Sequence, residues 1–226
     1  MIKTVLLDLD DTIFDFHECE KQALSHSLQR FGIAFSENDL FLYHEINREI
    51  WKRLERGEIT REELRVRRFE DFLARIGANV SAESMADEYA LALSETDVLI
   101  PGAVEFLEEV YRKYDIYAIT NGYETIQKGR LRAANIEKYF RKVFISQCIG
   151  AVKPDKAFFE YCRKAIGFIK EETVLIGDSL TSDIKGGLDY GIYSIRYNPK
   201  GEVSIDILPS AEVRSLAELP ALIASL

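Results

Sequence analysis

Cysteine is scarce in this chain of 226 residues: Cys19, Cys148 and Cys162 make three, an odd number without metal-ligand spacing. That excludes a disulfide-stapled secreted fold and a thiolate zinc site, and predicts reduced, partly buried thiols in a cytoplasmic protein. Positive charge is short as well. A net charge of -9 at pH 7 argues against a groove that binds a nucleic-acid polymer by neutralising its phosphates. It does not exclude a small phosphorylated ligand, because one bound cation outweighs the global sign locally. No apolar run approaches bilayer length and the N-terminus lacks a charged-then-apolar leader, so no membrane partner is expected. Internal repeats, low-complexity tracts and a phosphate-binding P-loop are missing too. What is present is ordinary core material, 47% hydrophobic and 30% charged, enough for one large domain or two smaller ones.

The stretch Thr4 to Thr12 draws attention first, because an aliphatic run leads straight into Asp8, Asp10 and Asp11. A continuous apolar run predicts a strand buried on both faces, as in a parallel sheet. Helical periodicity then takes over. One helix is predicted from Phe16 to Phe31, ended by Gly32. Ser36 with Asp39 and Thr60 with Glu63 have capping-box spacing and open two more, and a fourth helix follows Ser81. No convincing strand occurs between Phe16 and Thr96. From Val98 strands return, at 116–119, 143–146, 173–176 and 192–195, alternating with helices, and Ser215 to Leu226 reads as a final helix. This alternation predicts an α/β fold with a Rossmann-like parallel sheet. The expected division is a core of residues 1–15 and 97–226 with an inserted all-helical cap of residues 16–96, a lid over the core's edge.

Four polar clusters fall at or after predicted strand ends: Asp8 with Asp10, Thr120 with Asn121, Lys153, and Asp178 with Asp183. In a parallel sheet these ends share one edge, where ligands bind. Asp8 and Asp10 are two apart, and paired carboxylates repel unless a cation joins them. A hard divalent ion such as Mg2+ suits Asp8 and Asp178 and leaves room for phosphate. Lys153 and the Thr120 hydroxyl could hold a phosphoryl group. One carboxylate is then left as nucleophile and one as general acid and base.

In order, Asp8-Leu9-Asp10-Asp11-Thr12, Thr120-Asn121-Gly122, Lys153-Pro154 and Gly177-Asp178-Ser179-Leu180-Thr181-Ser182-Asp183 resemble the four motifs of the haloacid dehalogenase superfamily. The helical insert resembles its C1 cap. The resemblance implies Asp8 as nucleophile and Asp10 as general acid and base. It further implies Mg2+ on Asp8, Asp178 and the main-chain carbonyl of Asp10. Phosphate would be bound by Thr120, Asn121 and Lys153, with Asp183 supporting the metal's water shell and Lys153. Ile46-Asn47-Arg48-Glu49-Ile50-Trp51, Gly57-Glu58-Ile59-Thr60 and Arg68-Phe69-Glu70 resemble a bacterial branch of pyrimidine nucleotidases. The activity this implies is hydrolysis of small phosphomonoesters, with (deoxy)pyrimidine nucleoside monophosphates as the expected substrates. A sugar-phosphate or phosphoglycolate phosphatase would share every core residue, and a phospho-accepting signalling module is the alternative of a different class.

Other features are expected to be structural. His17, His26 and His44 lack metal-ligand spacing and read as surface or hinge residues. Arg61, Arg65, Arg67 and Arg68 interleave with glutamates, as a solvated helix face does. Gly186, Gly187 and Gly191 make no dinucleotide fingerprint. Phe14, Phe16 and Trp51 read as cap and hinge core.

Overall fold

In the computed structural model, which describes residues 1–226, the chain divides into two compact units. One comprises Met1–Phe16 and Asp97–Leu226, the other His17–Thr96.

The first unit begins with β1 (Thr4–Leu7), four residues buried throughout, as the uninterrupted aliphatic run requires. A tight turn follows, in which the Ile13 and Phe14 amides both donate to the Leu9 carbonyl and Asp11 takes φ 57°. The second unit holds four helices: α1 (Phe16–Arg30, its first residue in the other unit), α2 (Glu37–Glu55), α3 (Arg61–Ile76) and α4 (Ala82–Ser94). Both capping boxes form, with Ser36 and Asp39 opening α2 and Thr60 and Glu63 opening α3. Its interior is aromatic. Tyr43 stacks on Phe69 at 5.2 Å and meets Phe72 edge-on at 5.5 Å, and Tyr89 closes the group.

The chain returns through α5 (Ala103–Tyr111), β2 (Asp115–Thr120), α6 (Glu124–Ala133), β3 (Lys142–Ile145), α7 (Ser146–Ile149) and α8 (Lys156–Ile166). It ends with β4 (Thr173–Gly177), α9 (Lys185–Tyr190), β5 (Tyr193–Tyr197), β6 (Ala211–Val213) and α10 (Leu219–Ala224). The sheet is wholly parallel in the order β3-β2-β1-β4-β5-β6. Strand order therefore reverses at β1, and the crevice beyond the carboxyl ends of β1 and β4 is where such a sheet binds ligands. The outgoing and returning segments are tied to each other, since the Asp15 amide donates to the Val98 carbonyl and Ile100 to Ile13.

The predicted parallel α/β fold with a helical insert is what the structure has. Two details differ. β6, three residues at a sheet edge, was too short to carry a period. The tail predicted as one helix is a short 3-10 turn, Leu216–Glu218, followed by α10. No helix is long and apolar enough to cross a membrane.

Candidate active site

Asp8 follows β1 directly, and its amide still pairs with the Ile176 carbonyl of β4. The side chain is buried. Its Oδ1 accepts a hydrogen bond from Lys153 Nζ at 2.5 Å. The same ammonium donates to Asp183 Oδ1 at 2.7 Å and to the Ile119 carbonyl at 3.0 Å, so its three hydrogens are all engaged. Asp183 reaches this position because Leu180–Ile184 forms one wide π-type turn after β4, and its Oδ2 accepts from the Ser179 amide at 3.2 Å. Gly177 makes room for it: a Cβ there would stand 2.5 Å from the Asp183 carboxyl. Oxygens of Asp8, Asp178 and Asp183 all lie within 4.8 Å of one another.

Three carboxylates thus gather around a single ammonium. Burial, then the nearby Asp183, push the Asp8 carboxyl up to about 8, although Lys153 works the other way. Burial and the same neighbours hold Asp178 well above the usual carboxylate range. Burial alone would depress Lys153, but Asp183 and Asp8 outweigh it and raise its ammonium above the ordinary value. The cluster lacks positive charge, and its donors are all hard oxygens. A divalent cation that takes oxygen ligands fits this set.

Asp10 is placed differently. Both oxygens are held from α6: Gln127 Nε2 donates to Oδ2 at 2.7 Å, and Arg130 pairs with Oδ1. Arg130 has no exposed surface and lies over the Phe14 ring at 4.1 Å. Gln127 also donates to Thr120 Oγ1 at 2.8 Å, and the Gly122 amide donates to the same oxygen at 3.0 Å. Both contacts use the Thr120 hydroxyl as acceptor, which leaves its proton to donate elsewhere. Asn121 spends its side chain on the Lys153 main chain: Nδ2 donates to the carbonyl and Oδ1 accepts from the amide, each at 2.9 Å. It positions the lysine loop.

The sequence-derived set therefore converges on one sheet edge, within two groupings. Lys153 joins Asp8 and Asp183, with Asp178 beside them, while Thr120 and Asp10 share Gln127. Gln127 and Arg130 were missed by sequence reasoning. Their signal was weak but present, since residues three apart share a helix face and this face is the buried one of α6. One other reading needs correction. Arg65 and Arg67 do pair with acids on exposed helix faces, but Arg68 is buried and donates to Asn47 Oδ1 at 3.1 Å. Its spacing from Leu64 and Phe72 places it on the apolar stripe of α3. His17 and His44, far apart in sequence, meet in space around Glu20.

The model of the haloacid dehalogenase-like hydrolases matches residues 2–191. This chain belongs to that family. It is 38% identical to the pyrimidine 5'-nucleotidase PynA of Streptococcus pneumoniae over 96% of this chain and 93% of the relative. With the pyrimidine 5'-nucleotidase YjjG of Escherichia coli it shares 30% identity, over 97% and 96%. The crystal structure of the Bacillus subtilis HAD-hydrolase YfnB bound to magnesium superposes with a TM-score of 0.93, at 34% identity and covering 98% of both chains.

Proposed function

We propose that this family phosphatase is a cytoplasmic 5'-nucleotidase that works through an aspartyl-phosphate on Asp8 and prefers pyrimidine nucleoside monophosphates, deoxy forms included. The observation that carries the mechanism is the division between the two carboxylates of the first motif. Asp8 faces Lys153 at the strand end, whereas Asp10 is fixed by Gln127 and Arg130.

In the first half-reaction an Asp8 oxygen forms a bond to phosphorus. The bond from phosphorus to the ester oxygen breaks, and the departing oxygen takes a proton from Asp10. In the second, Asp10 takes a proton from water as the water oxygen attacks phosphorus, releasing phosphate and restoring the Asp8 carboxylate. Thr120, with its proton available, donates to a phosphoryl oxygen. Lys153 must exchange one of its acceptors to do the same, and Asp8 loses the charge that attracts it once phosphorylated. Asp8, Asp178 and the Asp10 main-chain carbonyl would hold Mg2+, with Asp183 supporting them through Lys153. When bound, that ion supplies charge neutralisation for the phosphoryl oxygens and for the crowded carboxylates. Positioning and electrostatics do most of the work.

A dehalogenase finds less support, because halide leaves without a proton and Asp10 would have no task. The same objection applies to a phospho-accepting signalling module. The substrate class rests on kinship with PynA and YjjG, both pyrimidine 5'-nucleotidases by name. The residues given roles above would meet only the phosphoryl group, its ester oxygen and the metal, so they do not separate nucleotides from sugar phosphates or phosphoglycolate. With Mg2+ present, kcat/KM for dUMP, dTMP or UMP should exceed that for hexose phosphates and phosphoglycolate by about 10- to 200-fold, the range that pocket shape and apolar contact provide. If phosphoglycolate or a hexose phosphate outranks every pyrimidine nucleotide, the nucleotidase assignment fails and the phosphatase assignment stands.

A further inference from the structure

We propose that the helical unit carries a second metal site, for a transition-metal ion of the zinc class, built from His17 and Glu20 on α1 and His44 on α2. It shares no residue with the acids of the α/β unit and does not depend on the substrate.

His17 and Glu20 are three residues apart and so project from one face of α1. His44 arrives from α2 with its Nδ1 2.8 Å from Glu20 Oε2. The two imidazoles meet edge to face, with centroids 5.4 Å apart and planes at 89°. One ligand atom from each of the three residues lies within 4.8 Å of the others. Ligands about 2.0–2.2 Å from a tetrahedral ion stand roughly 3.3–3.6 Å from one another. Seating an ion here therefore asks for side-chain rotations, not a rebuilt backbone.

What lies behind the ligands supports the same reading. Glu20 has no exposed surface, and a buried carboxylate requires a cation or donors. Its Oε1 accepts from Asn47 Nδ2 at 2.8 Å, and Asn47 Oδ1 in turn accepts from the buried Arg68. A ligating carboxylate oriented by a hydrogen-bonded chain of this kind is the usual support of a metal site. Exposure is graded, with Glu20 buried, His44 half-buried and His17 exposed, so an ion has a closed floor and an open approach. Two nitrogens and one oxygen suit zinc-class ions, whereas Mg2+ prefers oxygen alone. Two histidines and a glutamate also leave a fourth position for water.

The competing arrangement is a plain His44–Glu20 ion pair, in which His17 has no part. His17→Ala discriminates between them, because the residue is exposed and lies outside the pair. Full-length protein, stripped of metal and then kept in excess Mg2+, would be titrated with Zn2+ against a chromophoric chelator. Co2+ absorption would report nitrogen ligation. Wild type should take up about one equivalent of Zn2+, and both His17→Ala and His44→Ala should bind it at least roughly tenfold more weakly. His26→Ala, an exposed histidine paired with Glu88, should bind as wild type does. Unchanged Zn2+ affinity in His17→Ala overturns the proposal, including the case in which only His44→Ala loses it. So does a wild-type protein that takes up no Zn2+ beside Mg2+. Should His44→Ala fail to fold, His17→Ala alone decides.

Discussion

The two units treat buried charge in opposite ways. At the edge of the parallel sheet, Asp8 and Asp183 pair with the single ammonium of Lys153 and Asp178 lies beside them, and burial makes the charges of Asp8 and Asp178 costly. The helical unit instead fills its interior with Tyr43, Phe69, Phe72 and Tyr89, and gives its one fully buried carboxylate, Glu20, partners on both oxygens. The first arrangement leaves buried carboxylates beside one another that a cation would neutralise, as a reactive site requires. The second already gives its buried carboxylate protein partners, whether or not an ion joins them. Stability and reactivity are thus housed in different parts of the chain.

The largest expected effect separates Asp10 from its neighbours. Asp10→Asn should lower kcat by about 10^2 to 10^4 for nucleotides, whose alkoxide leaving group needs a proton, and by less for an activated aryl phosphate. Arg130→Met should share that leaving-group signature with a smaller loss, about 10^2, because it mispositions the acid without removing it. Equal losses on both substrates in a rapid-quench comparison would mean that Arg130 merely supports the fold.

Stability should respond in the other unit. Phe72→Ala removes a ring from the aromatic interior and should cost about 3–5 kcal/mol in chemical denaturation. Asp178→Asn, measured without metal, should be neutral or stabilising, since it removes one of three crowded carboxylates. If Asp178→Asn destabilises as much as Phe72→Ala, the contrast between the units is lost.

The smallest effect is a pH dependence. The Asp8 carboxyl moves from an ordinary 3.8 up to about 8 in the folded chain, so the fold binds its proton more tightly than the unfolded chain does. Its contribution to stability is full below the unfolded value and disappears as pH rises through about 8. A cation that displaces this proton matters most on the alkaline side. The rise in Tm caused by Mg2+ should therefore grow between about pH 5 and about pH 9. A constant or shrinking increment, followed by differential scanning calorimetry, would contradict the charge crowding.

Much of this was legible in the sequence because it depends on local pattern. The aliphatic run into Asp8, the capping boxes at Ser36 and Thr60, and polar clusters after successive strands can all be read along the chain. What escaped depends on contacts between distant segments. Arg130 and Gln127 meet Asp10 only once α6 packs beside β1's turn, and a helix rich in arginine otherwise reads as solvated. Arg68 was hidden by its charge, although it occupies an apolar-stripe position. His17 and His44 lack metal-ligand spacing because their proximity is created by two helices, not by one segment. Asn121, expected to bind phosphate, also directs its side chain to the Lys153 main chain, a contact between distant segments.

The most direct measurement is to trap the intermediate. Wild-type enzyme mixed with dUMP and Mg2+, quenched within one turnover and reduced with borohydride, would be digested and mapped by mass spectrometry. Covalent catalysis by Asp8 predicts reduction of its acyl phosphate to homoserine at position 8, absent from Asp8→Asn, together with an inactive but folded variant. An unmodified Asp8 with label on another residue, or substantial steady-state hydrolysis by Asp8→Asn, would contradict it.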